Sequence, residues 1–117
     1  MNTYTLGNTE YNFNPRLRAT ENIRKAFGKD YTRLIGELDK LSIKELIKFI
    51  YNVLDKPELT LEEFTDWCFD NIGKGDIEEC VSWLVIQLQY PGITEEEFIK
   101  KTQESQAKEK ALASRQD

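Results

Sequence analysis

Polar and apolar residues alternate at the start of the chain. The stretch "TYTLGNTEYNF" (residues 3–13) places a Gly-Asn pair between two runs of period two. Alternation around such a pair is typical of a β-hairpin with a tight turn. The sequence therefore predicts a short N-terminal hairpin that packs through Tyr4, Leu6, Tyr11 and Phe13. Because a two-stranded hairpin is marginal in water, we expect it to lie on helices or to extend a partner's sheet.

From Asn14 onward, apolar residues recur every three or four positions, which is the spacing of one helix face. Asn14 and Pro15 fit the cap and the first position of a first helix, which Gly28 would end. Asp30 fits the cap of a second, short helix. The later helices are separated by "DKPEL", by the glycines of "GKG" and by "YPG". The pattern predicts a mainly α fold, a small bundle of five to six short helices with a short N-terminal β-hairpin.

Four helix starts share one motif, in which Ser, Thr or Asp is followed three residues later by Glu. The pairs are Ser42 with Glu45, Thr60 with Glu63, Asp76 with Glu79, and Thr94 with Glu97. In a capping box, the first side chain accepts from the later backbone N–H, and the Glu accepts from the N–H of the cap. Calcium loops instead need oxygen ligands at alternate positions and a Gly at the turn. The motifs are therefore predicted to be helix caps and not metal sites.

The length of 117 residues suits one domain with one core. We expect residues 1–92 to form a helical domain that includes the hairpin. Residues 93–117 are predicted to form a polar C-terminal helix or a flexible tail, because they contain few apolar residues after Phe98 and Ile99. Roughly the last 10–15 residues are expected to be disordered or to form an extended arm, which a partner could order.

The net charge of −5 is unevenly distributed along the chain. Residues 1–54 carry nine Lys and Arg against six Asp and Glu, whereas residues 55–117 carry seven against fifteen. One interpretation is an ordinary solvated surface, and the other is head-to-tail association of copies, which gives a homo-oligomer. The overall acidity argues against a dedicated nucleic-acid binder.

Reactive groups are few in this composition. Histidine is absent, which removes the commonest general base and metal ligand. Cys68 and Cys80 fall on apolar helix faces, where a free cysteine behaves as a small hydrophobe, with a disulfide or ligand role as the alternative. We expect no catalytic residue, no cofactor and no metal site. An enzyme that works with Asp or Glu remains the less favoured alternative.

Membrane and export signals are also missing from the sequence. No run approaches the roughly 18 apolar residues that a spanning helix needs. The start "MNTYTLGNTEYNF" lacks the basic and then apolar layout of a signal peptide. We therefore expect a cytoplasmic protein with its natural N-terminus and no membrane partner.

The order of the elements carries a family resemblance over roughly residues 3–90. The hairpin "YTLGNTEYNF" precedes the helix "PRLRATENIRKAFG", a linker helix and the apolar helix "IKELIKFIYNVL". A break, "LTLEEFTDWCFDNI" and a last apolar helix follow. This layout resembles the tail assembly chaperones of long-tailed, siphovirus-type phages and prophages of Gram-positive bacteria.

The resemblance implies a small, mostly helical protein that is not an enzyme. Such chaperones work in the cytoplasm of the infected bacterial host and are absent from the mature virion. They bind the tape measure protein, keep its apolar helices soluble and help to recruit the tail tube protein. They tend to self-associate, and many also occur as a longer product of ribosomal frameshifting.

Five apolar side chains lie outside the tidiest inward stripes and are the candidate partner-binding residues. They are Tyr51, Phe69, Trp83, Ile86 and Tyr90. They could cover a helix of the tape measure protein, or they could be ordinary core and edge residues. The alternative function is a small phage or bacterial regulatory protein that binds a host protein, with its acidic half as the candidate contact surface.

Overall fold

The computed structural model describes residues 2–104 and contains a two-stranded hairpin followed by helices. The strands are β1 (Thr3–Leu6) and β2 (Thr9–Asn12). The helices are α1 (Leu17–Phe27), α2 (Tyr31–Ile35), a 3₁₀ helix (Leu38–Lys40), α3 (Ile43–Tyr51), α4 (Leu61–Asn71) and α5 (Lys74–Gln89). A further helix, α6, begins at residue 95 and continues to residue 104, the last described residue. This confirms the prediction of a mainly helical bundle with a short N-terminal hairpin.

The hairpin is antiparallel and pairs Tyr4 with Tyr11 and Leu6 with Thr9. Gly7 opens its turn with a φ of +60°, a conformation that side chains other than glycine rarely adopt. A Cβ atom at Gly7 would also lie 2.9 Å from Cδ1 of Ile72. The turn therefore depends on glycine for its conformation and for its close approach to the end of α4.

Aromatic side chains attach the hairpin to α4 and α5. The Trp83 ring lies 5.1 Å from the ring of Tyr4 and 5.7 Å from that of Phe13, measured between centroids. The Tyr11 ring meets Phe64 edge to face at 5.6 Å. Such contacts contribute roughly 0.5–1.5 kcal/mol each beyond the area they bury. The predicted hairpin residues therefore all pack on the helices, and Leu6 and Phe13 are buried in the core.

Helix α5 lies at the centre of the bundle, where it contacts α1, α3 and β1. Its inward stripe consists of Ile77, Cys80, Val81 and Leu84, all buried. The other buried apolar residues of the core are Leu6, Phe13, Ala19, Ile23, Leu34, Leu46, Ile47, Phe49, Ile50, Val53, Phe64 and Cys68. One continuous core therefore joins the hairpin to helices α1–α5.

The two cysteines belong to this core and form no disulfide. Burial raises the pKa of the Cys68 thiol to about 12, and it raises the pKa of Cys80 as well. Both thiols therefore stay protonated at neutral pH, which makes them poor nucleophiles and poor metal ligands. Their interpretation as small buried hydrophobes is confirmed.

Two of the predicted capping boxes are complete. The Glu45 N–H donates to Oγ of Ser42 at 3.2 Å, and the Ser42 N–H donates to Oε1 of Glu45 at 3.2 Å. The corresponding distances between Thr60 and Glu63 are 3.2 and 3.0 Å. The hydrogen bonds from the cap residues hold the pKa of both glutamates below its usual range. The acidic residues at these starts therefore serve the fold.

The predicted cap at Asp76 is wrong. Helix α5 begins three residues earlier than that cap predicts, at Lys74, with Gly73 as its N-cap. The N–H of Ile77 already donates to the Gly73 carbonyl at 3.2 Å, so Asp76 lies inside the first turn. There its charge faces the positive end of the helix dipole. The prediction that both glycines of "GKG" end α4 is also wrong, because Gly75 lies within α5.

The predicted start of α1 at Asn14 and Pro15 is also wrong, because the helix begins at Leu17. The Asn14 N–H donates to the carbonyl of Val53 at 2.8 Å, and the Pro15 side chain is fully buried. Both residues therefore lie outside α1, and Asn14 is held by the segment that follows α3. This long-range contact overrides the local helix-start signal.

The start of α6 is consistent with the predicted cap at Thr94. The Glu97 N–H donates to Oγ1 of Thr94 at 3.1 Å, which is the first of the two bonds of a capping box. The predicted disorder of the chain end concerns residues outside the described range. The division into residues 1–92 and 93–117 stays a prediction.

The capping boxes generate a test of stability. Ser42→Ala and Thr60→Ala should each lower the free energy of unfolding by about 1 kcal/mol, because a helix-start N–H loses its acceptor. Urea unfolding followed by circular dichroism measures this change. Asp30→Ala is the matched control, since Asp30 precedes α2 but its side chain makes no capping bond. Equal losses in all three variants would contradict the capping assignment.

The lowered pKa values of Glu45 and Glu63 predict a pH dependence of stability. The unfolded carboxyls titrate near 4.5, so between that pH and the lower folded pKa the unfolded chain binds more protons. The stabilisation is present above pH 4.5 and is lost as the pH falls through the folded pKa values. Urea unfolding between neutral and acidic pH should show a shallower acid decline for Glu45→Gln/Glu63→Gln than for wild type. Glu62→Gln, which changes an exposed residue outside both boxes, should leave the decline unchanged.

Candidate functional site

The five candidate partner-binding residues do not form one site. Trp83, Ile86 and Tyr90 follow one stripe of α5 and its C-terminal end, and all three are half-buried. Tyr51 borders an opening beside the hairpin, and Phe69 lies on a different surface between α3 and α4. The structure therefore divides them among three surfaces, and Tyr90 lies beside the first of these, where it lines a neighbouring opening at the end of α5.

The first surface is a groove of about 310 Å³ between α5 and the segment that leads into α6. We call it the α5–α6 groove, and its lining residues are Trp83, Ile86, Gln87, Ile93, Thr94, Glu95 and Phe98. The Phe98 ring is the large apolar group that α6 presents here, while Ile99 remains 48% exposed. The Lys101 ammonium lies 4.0 Å from the centroid of the Tyr90 ring, a cation–π contact at one end of α5.

A buried amide holds the turn between α5 and α6. Gln87 is only 4% exposed, and its Nε2 donates to the carbonyl of Ile93 at 3.0 Å. The N–H of Gly92, which has a φ of +81°, donates to the Gln87 Oε1 at 2.9 Å. One side chain therefore satisfies both sides of the turn and fixes where α6 begins.

The role of Gln87 was not predicted from the sequence, although its place in the hydrophobic pattern of α5 indicates one. It follows Cys80 and Leu84 at helical spacing, so a polar residue stands on the inward stripe of an apolar helix. A buried amide needs hydrogen-bond partners, and a turn with free backbone groups supplies them. That combination could have been detected next to "YPG".

The second surface is an opening of about 460 Å³ between β2 and the loop that joins α3 to α4. We call it the β2 groove, and it is lined by residues 9–12, Tyr51, residues 54–59 and Phe64. The Tyr51 hydroxyl donates to the carbonyl of Leu59 at 2.8 Å, and its ring lies 5.9 Å from that of Phe64. Tyr51 therefore supports the loop as well as lining the groove.

The third surface is a shallow opening of about 610 Å³ between α3 and α4. Phe69 is 59% exposed there. Lys44 and Lys48 line it from α3, while Glu62 and Asp66 line it from α4. The apolar ring is thus bordered by charges of both signs.

The described part of the chain offers surfaces for contact with a partner. Within residues 2–104, no three His, Cys, Asp or Glu side chains are grouped so that they could hold a metal ion. No helix in that part of the chain is long and apolar enough to cross a bilayer. Comparisons with known protein families, curated proteins and solved structures find no match for the chain.

The Gln87 clamp generates a local prediction. Gln87→Leu should lower the free energy of unfolding by roughly 1–3 kcal/mol, because the Ile93 carbonyl and the Gly92 N–H lose their partner. It should also speed hydrogen exchange of the α6 amides more than that of the α3 amides. Gln89→Leu, an exposed neighbour on the same helix, is the control. Unchanged exchange in α6 would show that Gln87 does not hold this turn.

Proposed function

We propose that this chain is a tail assembly chaperone of a long-tailed phage or prophage. It binds the apolar helices of the tape measure protein, keeps that protein soluble and helps to recruit the tail tube protein. It acts in the cytoplasm of the bacterial host and does not remain in the mature virion. The order of hairpin, first helix, apolar helix α3, break, α4 and apolar helix α5 supports the proposal, because the resemblance rests on that layout.

One observation carries the binding part of the proposal, namely that an apolar side chain of a helix already lines the α5–α6 groove opposite α5. Phe98 of α6 lies with Trp83 and Ile86 among the residues that line it. Helix-in-groove recognition uses anchors at such helical spacing against an apolar strip. An apolar helix of the tape measure protein would add its side chains along Trp83, Ile86 and Tyr90.

The charge distribution supports self-association as a second part of the same proposal. Residues 1–54 have a net charge of +3 and residues 55–117 a net charge of −8. Oppositely charged surfaces of two copies attract each other and favour a defined orientation. A homo-oligomer of this kind would present several grooves to one long helical partner.

The test is co-expression of the full chain with a fragment of the tape measure protein that is insoluble alone. Wild type should keep the fragment soluble and co-purify with it. Ile86→Glu places a charge in the α5–α6 groove and should weaken co-purification about tenfold or more. Leu17→Glu is the matched control, because Leu17 is 86% exposed on α1, away from the groove. Circular dichroism confirms that both variants are folded.

Two outcomes decide between the candidate functions. If the wild-type chain neither solubilises the fragment nor binds tail tube protein nor self-associates, the chaperone proposal is lost. If it instead captures one host protein from an uninfected lysate through its acidic half, the regulatory function takes its place. Charge reversal at exposed carboxylates of that half would then abolish the capture.

A further inference from the structure

The β2 groove lies where a third strand begins and then stops. Leu54 forms an antiparallel bridge with Phe13 on the outer side of β2. The N–H of Asp55 donates to the carbonyl of Asn12 at 2.9 Å, as a third strand would. In this register the next hydrogen-bonded pair along β2, after Asn12 with Asp55, would bring residue 57 opposite Glu10.

Residue 57 is a proline, so it has no N–H to offer to Glu10. Lys56 has a φ of +47°, the left-handed conformation that turns the chain out of the strand direction. The residue that would continue the third strand is therefore directed away from β2. The place beside Glu10 opens into the β2 groove.

The backbone of Glu10 faces this vacant strand position. Leu6–Thr9 closes the two-residue turn, and Tyr4–Tyr11 follows it two positions along the ladder. In an antiparallel ladder, hydrogen-bonded pairs of this kind alternate with pairs whose backbone groups point outward. In that alternation the groups of Glu10 point away from β1, as the Asn12 carbonyl bound by Asp55 also does. An added strand could therefore accept from the N–H of Glu10 and donate to its carbonyl.

The side chains of the groove specify the kind of strand that fits. The rings of Tyr11, Tyr51 and Phe64 form an aromatic floor that suits an apolar side chain. The rim carries the exposed carboxylates of Glu10, Asp55 and Glu58. The ammonium of Lys56 is the single positive charge among the residues that line it. The rim is net negative, so it favours a basic ligand.

We propose that the β2 groove binds a basic, extended peptide segment of another protein, which adds to β2 as a third strand. Its backbone pairs with Glu10, one apolar side chain enters the aromatic floor, and a Lys or Arg lies opposite the Glu10 carboxylate. Cross-strand pairs of opposite charge stabilise such an arrangement. This is β-strand addition, in which backbone bonds provide affinity and alternate side chains provide specificity. The site is separate from the α5–α6 groove and does not depend on the tail chaperone function.

The test uses the full chain and a fluorescein-labelled peptide of alternating Lys and Val with a central Phe. Fluorescence polarisation should show saturable binding, and the amide resonance of Glu10 should shift in NMR spectra. A control peptide with Glu in place of every Lys should bind about tenfold more weakly or not at all. Glu10→Lys with Glu58→Lys should weaken binding of the Lys peptide by a similar factor. Glu62→Lys, an exposed reversal on α4 outside the groove, should leave the affinity within about twofold.

Backbone methylation distinguishes strand addition from simple charge attraction. In the added strand, the N–H groups of the Lys residues point toward β2 and those of the apolar residues point away. N-methylation at the Lys residues should therefore abolish binding, whereas N-methylation at the apolar residues should leave it nearly unchanged.

Three results would overturn the proposal. The first is the absence of saturable binding, and the second is equal affinity of the two N-methylated peptides. The third is that the wild-type chain self-associates and the double variant Glu10→Lys with Glu58→Lys does not. A second copy of the chain would then be the occupant of the groove. A folded circular dichroism spectrum of the double variant ensures that lost binding reports on the groove.

Discussion

A two-stranded hairpin has one face that neighbouring side chains must cover, and that requirement organises this small protein. Trp83 of α5 covers Tyr4 and Phe13, and Phe64 of α4 covers Tyr11. Phe13, directly after β2, is bridged to Leu54 in the segment that follows α3, so the hairpin contacts α4, α5 and the chain that leaves α3. The core of the bundle is continuous with the hairpin, which contributes Leu6 and Phe13 to it.

This arrangement also explains why two of the three surface openings lie at the edges of the hairpin contacts. The hairpin covers one part of Trp83, and the other part lines the α5–α6 groove. Tyr11 and Phe64 pack on each other, and they also form part of the floor of the β2 groove. Aromatic rings are large enough to serve the core on one side and a surface opening on the other. The two grooves are therefore consequences of how the hairpin is attached.

Local sequence signals predicted the features that depend on neighbours along the chain. The hairpin turn at Gly7 and the capping boxes at Ser42 and Thr60 involve residues at most a few positions apart, and all three were recognisable. The start of α1 was not, because the partner of Asn14 is the distant Val53 carbonyl. Helical spacing likewise placed Trp83 and Ile86 outside the inward stripe of α5, but it could not show that Phe69 lies on a separate surface.

The two grooves place different demands on a ligand, and the difference lies in the backbone. A helix satisfies its own interior N–H and carbonyl groups, so it can offer only side chains to a surface. Such a ligand matches the α5–α6 groove, where Trp83 and Ile86 present apolar area. The open edge at Glu10 instead requires a ligand whose backbone groups are free, which only an extended segment provides. Pro57 and Lys56 keep that edge open by preventing the chain from completing its own third strand. The conformation of the partner segment thus determines which groove it can occupy.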